Sequence, residues 1–113
     1  MTTEKIQSSI ANPSPLGLLG FGMTTVLLNL HNANIIPLSI VILSMGFALG
    51  GSCQIIAGIM EFLKNNVFGA TAFTAYGFFW LSLIVIWTNP TAEMAAADEK
   101  SMGFYLLLWG IFT

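Results

Sequence analysis

Charged side chains are nearly absent from most of this chain, and this constrains its fold more than any other feature. No aspartate, glutamate, lysine or arginine occurs between His31 and Glu61, or from residue 68 to residue 87. Only 7% of the 113 residues are charged, whereas a soluble domain carries about 25%. Because so few charges cannot solvate a surface, the composition predicts an integral membrane protein in a lipid bilayer. No basic patch suggests a nucleic-acid partner.

Short polar clusters divide the chain into apolar runs of helical length. We expect an all-α transmembrane domain over 12–113 after a polar tail over 1–11. Full spans are expected near 16–30, 37–62 and 68–87, with an incomplete fourth near 101–113. The fourth run would rise only about 20 Å as a helix, against a hydrocarbon core of about 30 Å. We therefore predict a fragment, with at least two further apolar spans after Thr113.

Two prolines mark the entry to the first span. Asn12, a good cap residue, precedes Pro13, and Pro15 follows within the same turn. The helix should begin between Pro13 and Leu16 and end in the asparagine-rich cluster that starts at Asn29. The apolar run between them rises only about 22 Å, so the helix must borrow length at its ends.

Small residues on the second span indicate close helix packing. Gly46 and Gly50 form a GxxxG pair, and Gly58 continues the pattern along the same helix. Small side chains let membrane helices approach closely. We therefore expect these three glycines to face protein rather than lipid.

Few residues are candidates for chemistry. The single histidine, the single cysteine and the scattered carboxylates form no catalytic or metal-binding pattern, so no enzyme activity, cofactor or metal is expected. Gln54 and Glu61 are seven residues apart and share a helix face. A carboxylate within a membrane is a functional candidate, here for proton coupling. The alternatives are an interfacial Glu61 paired with Lys64, and an interhelical hydrogen bond for Gln54.

Several ordered motifs resemble the acetate uptake transporter family, also called succinate–acetate permeases. The run N-P-S-P-L-G-L at 12–18 resembles the family signature, which typically has alanine where this chain has Ser14. GFGMTT at 20–25, NLHN at 29–32 and TAFTAYGFFWL at 71–81 resemble further family segments. The signature positions carried over are Asn12, Pro13, Pro15, Leu16, Gly17 and Leu18.

The resemblance implies a six-helix protomer that assembles as a hexamer and moves acetate, succinate and other small carboxylates with protons. It also implies that Phe21 and Tyr76 occupy a narrow hydrophobic constriction. Side chains offering hydrogen bonds to the substrate near it would be those of Thr24, Thr25, Asn29 and Gln54. The proton would travel on Glu61 or on the neutral acid itself, and these alternatives stay open.

Orientation and function have weaker sequence signals. Lys5 and Lys64 fall on one side of the predicted membrane and Lys100 on the other, so the positive-inside rule predicts a cytoplasmic N-terminus, in the cell (inner) membrane. Two alternatives to carboxylate transport remain. One is a channel for another small solute such as ammonia, and the other is a membrane subunit that only assembles.

Overall fold

A computed structural model of the chain describes residues 2, 5, 9–88 and 99–113. Within these ranges the chain folds into the helices α1 (Ser14–Asn32), α2 (Ile40–Leu63), α3 (Val67–Thr88) and α4 (Glu99–Phe112). α2 and α3 have mean hydropathies of 1.9 and 1.6 and are long and apolar enough to cross a membrane. The all-α prediction is confirmed. Most of the predicted polar tail, and residues 89–98 before α4, lie outside the described residues.

The ends of the helices differ from the sequence expectation by a few residues. α1 takes length at both ends and reaches 19 residues, which rise about 28 Å. The Oδ1 atom of Asn12 accepts a hydrogen bond from the N–H of Ser14 at 3.0 Å, so Asn12 caps the entry from just outside the helix. α2 begins at Ile40, later than the expected residue 37, because Ser39 is extended with φ −143°.

Two asparagines reverse the chain between the first three helices. Asn34 and Asn65 have φ values of 63° and 59°, a left-handed conformation that asparagine tolerates better than most residues. After α2, the N–H of Asn66 donates to the carbonyl of Glu61 at 2.9 Å, which closes the last helical turn. α2 therefore runs antiparallel to α1 and α3, and α1 and α3 run parallel.

Glycines of α2 allow the three helices to pack closely. Gly46, Gly50 and Gly58 are all buried. A Cβ atom added at Gly50 would lie 2.8 Å from the Trp80 indole and 2.9 Å from the Thr24 methyl group. The buried glycines thus face protein within this bundle, as small residues do between membrane helices.

The middle of α2, Gly46–Cys53, is wound as a π-helix. Each backbone N–H of a π-helix donates to the carbonyl five residues earlier, rather than four residues earlier as in an α-helix. Such segments occur often near functional sites. The spacing of the glycines predicts close packing but carries no signal for this change of winding. Gln54 is the first residue of the α-helical half that follows.

Replacing Gly50 with leucine should destabilise the bundle. The new side chain would overlap the Trp80 ring and the Thr24 methyl group, and overpacking of this kind costs about 1–3 kcal/mol or more. Gly22→Leu is the matched control, because a Cβ atom at Gly22 meets nothing within 4 Å. Thermal unfolding in detergent measures both. Equal melting temperatures for Gly50→Leu and the parent would contradict the packing assigned here.

The distribution of polarity is the reverse of that in a soluble protein. Phe47, Ile59 and Phe68 are more than half exposed on the outside of the bundle. Polar side chains lie inside: Thr24 and Gln54 are fully buried, and Glu61 is 2% exposed. An apolar outside suits lipid or neighbouring membrane helices, whereas buried polar groups need specific partners. The interior polar residues therefore mark where a functional site is to be sought.

Candidate functional site

α1 and α3 contribute parallel stripes of side chains to one side of the bundle. On α1 the stripe recurs every three or four residues, which is the repeat of one helix face. Its members are Ser14, Leu18, Phe21, Thr25 and Leu28. Tyr76 lies midway along the α3 stripe, as Phe21 does along that of α1. Because the two helices run parallel, the midpoints of both stripes meet at the same depth.

The aromatic rings of Phe21 and Tyr76 meet at this depth. Their centroids are 5.4 Å apart and their planes are tilted by 52°. Tyr76 is also held from α4: its hydroxyl donates to Thr113 Oγ1 at 3.1 Å, and its ring lies edge-on to Phe112 at 5.5 Å. The expected contact between the two aromatic positions is therefore present, with α4 supporting one of them.

A cavity lies on each side of the Phe21–Tyr76 pair. The Gln54 cavity, towards the N-terminus of α1, has a volume of about 340 Å³ and includes Ser14, Gln54 and Asn66 in its lining. The Thr25 cavity, towards the C-terminus of α1, has a volume of about 360 Å³. Both cavities are lined by the two rings. The pair thus stands between two mainly apolar spaces that follow one another along α1 and α3.

The structure brings only some of the predicted polar residues to these cavities. Thr25 and Gln54 each line one of them. Thr24 is fully buried and packs its methyl group towards Gly50 instead. Asn29 is exposed near the end of α1, where its Oδ1 atom accepts from the Asn32 side chain at 3.4 Å. Among the described lining residues, Thr25 and Gln54 are therefore the predicted hydrogen-bonding groups that a solute would meet.

Glu61 is buried beside the start of α1. One carboxylate oxygen accepts from the Ser14 hydroxyl at 3.1 Å, and the other accepts from the Asn66 amide. The ammonium group of Lys64 donates to the carbonyl of Ile10 at 2.9 Å. At 2% exposure, the Glu61 carboxylate is held by protein partners rather than by solvent.

Two helix N-termini explain how this buried carboxylate is accommodated. Ser14 is the first residue of α1, and Asn66 caps α3 by accepting from the N–H of Gly69 at 3.2 Å. Negative charge interacts favourably with the N-terminus of a helix. In sequence, Glu61 is close to the unfavourable C-terminal end of its own helix. In the folded chain it also lies at the favourable ends of two others.

Sequence reasoning missed several residues of the site. In the sequence, Ser14 stands out only as a departure from the family signature, and Asn66 belongs to none of the family motifs. An asparagine directly before an apolar helical run is a cap signal, which would have suggested the role of Asn66 at α3. The wall that α4 contributes to the Thr25 cavity had no such signal. It consists of Leu106, Trp109 and Gly110, together with Thr113 just after the helix.

Comparison with known proteins identifies the family. A profile of the GPR1/FUN34/yaaH family matches residues 2–113. The chain belongs to this family. The chain is 52% identical over 107 residues to the succinate-acetate/proton symporter SatP of Escherichia coli K12, covering 94% of this chain and 57% of that protein. These matches confirm the resemblance seen in the motifs.

Other family members extend the comparison. The solved structure of the bacterial acetate channel SatP matches with a TM-score of 0.87 and 53% identity, covering 91% of this chain and 57% of that one. The ammonia transport outward protein 2 of Saccharomyces cerevisiae is 41% identical over 111 residues, covering 91% of this chain and 39% of that protein. The chain therefore spans a little over half the length of its bacterial relative.

Proposed function

We propose that this chain forms part of a membrane protein that moves acetate and other small carboxylates, such as succinate, past the Phe21–Tyr76 pair. The observation that carries the proposal is that these two rings line both cavities. The membership of the family and the names of the bacterial relatives support the same substrate class. From these observations we infer that the protein is a transporter rather than an enzyme.

The physical basis is the cost of moving a carboxylate through hydrocarbon. A bare ion loses its hydration and gains nothing in return, so a path through protein must offer polar groups and then a short barrier. Gln54 and Thr25 offer hydrogen bonds on opposite sides of the rings. An apolar constriction resists ion leak by dewetting, while it admits a solute held at its mouths.

The proposal extends to the setting of the protein. We place it in the cell (inner) membrane with a cytoplasmic N-terminus, as a homo-oligomer of the predicted hexameric type. A proton accompanies the substrate, either on Glu61 or on the acid itself. The ammonia alternative draws support from the name of the yeast relative, and the assembly-subunit alternative from the apolar outside of the bundle.

Uptake into proteoliposomes tests the proposal. We expect the protein, produced from its complete gene, to take up labelled acetate faster than empty vesicles do, and succinate to compete. Quenching of an enclosed pH-sensitive dye after an ammonia pulse measures the alternative solute in the same vesicles. Acetate uptake equal to that of empty vesicles would overturn the carboxylate proposal and leave ammonia conduction or assembly alone.

A further inference from the structure

Gln54 has a buried amide oxygen that lacks a partner. Its side chain is fully buried, and Nε2 donates to the backbone carbonyl of Gly17 at 3.3 Å. This bond sets the orientation of the amide, because a flipped side chain would face one carbonyl with another. Among the described residues, nothing donates to Oε1. An unsatisfied buried acceptor is costly, so this oxygen calls for a donor that enters the site.

Gln54 lies beside the proposed path. Its side chain packs against Gly20, where an added Cβ atom would lie 3.1 Å from Cγ of Gln54. Gly20 precedes Phe21, and Gly17 lies one turn before Phe21 on the same helix face. Gln54 thus lines its cavity directly below the Phe21–Tyr76 pair. The amide itself has no exposed surface, so a solute at the rings contacts it only after the lining side chains shift.

The other polar groups of the Gln54 cavity are already engaged by the protein. Ser14 donates its hydroxyl hydrogen to Glu61, and Asn66 uses one amide hydrogen in the same way. The Oδ1 atom of Asn66 accepts from the N–H of Gly69. Among these groups, Oε1 of Gln54 is therefore the acceptor left without a partner, and a solute that brings its own donor would satisfy it.

Charge around the cavity points in the same direction. Tyr76 of α3 lines it, and the carboxylate of Glu61 in α2 lies just behind the lining. His31, the titratable residue of α1, lies near the C-terminus of that helix, whereas the cavity lies near its N-terminus. The ammonium group of Lys64 donates to the backbone carbonyl of Ile10. None of the described lining residues is a cation. A carboxylate ion here would face the nearby negative charge of Glu61 with no cation in the described lining to balance it.

We infer that Gln54 selects the protonated, neutral form of the carboxylic acid below the rings, an inference that rests on the transport function proposed above. The acid O–H donates to Oε1 of Gln54, and the acid carbonyl accepts the second hydrogen of Nε2. An amide and a carboxylic acid thereby satisfy each other with one donor and one acceptor apiece. The proton then crosses the constriction on the substrate itself.

Two neutral molecules of the same shape test this selection. Acetamide carries N–H donors where acetic acid carries its hydroxyl, and acetone carries a methyl group there. In the complete protein, acetamide should compete with labelled acetate about tenfold better than acetone, the effect of one hydrogen bond to a buried acceptor. At fixed total acetate, protein-dependent uptake should also fall about tenfold for each pH unit above the pKa of the acid.

Variants locate the effect. In Gln54→Leu, acetamide and acetone should compete equally, whereas Ser52→Ala, on the same helix with its hydroxyl bonded to the carbonyl of Phe47, should keep the parent's difference. If acetamide and acetone compete equally with acetate in the parent, the inference is wrong; a water molecule bound to Oε1 would give that result. Acetate uptake that does not depend on pH would also overturn it. These measurements on the parent protein test the inference even if the Gln54→Leu variant fails to fold. Absence of any acetate uptake would instead reject the transport function.

Discussion

Truncating Phe21 or Tyr76 to alanine should let larger carboxylates compete with acetate and should raise leak. The two rings meet at 5.4 Å and form the wall that both cavities share, so removing either joins the cavities into a wider passage. A wider passage stays wet more of the time and loses its resistance to ions. Uptake of labelled acetate in the presence of longer mono- and dicarboxylates measures selectivity, and dye release or proton leak measures tightness.

The competing explanation is that the rings only pack between helices. A fully buried aromatic residue costs about 3–5 kcal/mol when cut to alanine. Phe21 is 41% exposed in this bundle, so its packing loss should be smaller than that. Phe78→Ala is the matched control, because this α3 ring is 55% exposed and lines neither cavity. If both ring variants fold and keep the selectivity and leak of the control, the constriction is misassigned.

Replacing Glu61 with leucine should be the most destabilising change in the polar interior. It removes two hydrogen bonds to the carboxylate, one from the half-buried Ser14 hydroxyl and one from the exposed Asn66 side chain. A hydrogen bond to a charged group is worth about 1.5–3 kcal/mol, and less where solvent can replace it. We expect a fall of about 2–4 kcal/mol in the free energy of unfolding. Ser14→Ala removes one of these bonds and leaves the carboxylate in place, so it should cost only about 1 kcal/mol.

Glu61→Gln separates the structural role from proton coupling. It keeps the shape of the side chain and loses its charge, so part of the hydrogen bonding survives. If the proton travels on the substrate, the folded variant should keep acetate uptake with the pH dependence of the parent. Uptake that no longer depends on pH, in protein with a normal melting profile, would instead identify Glu61 as the carrier of the proton.

Local chemistry made much of the architecture predictable. The scarcity of charge indicated a membrane protein, the prolines and asparagines marked helix ends, and the glycines of α2 indicated close packing. These signals act over one helical turn, so they are visible in a linear sequence. The aromatic pair Phe21 and Tyr76 was named in advance only because its surrounding motifs resemble those of a known family.

The sequence by itself therefore determined that this chain is helical, suited to a membrane and closely packed along the glycines of its second span. Only the tertiary structure decided which polar groups meet. It joined Glu61 to Ser14, 47 residues away, and packed Thr24 towards Gly50 while leaving Gln54 in the lining of a cavity. The reason is that a buried polar group is satisfied by whichever partner packing brings within about 3 Å, and that distance depends on how the helices cross.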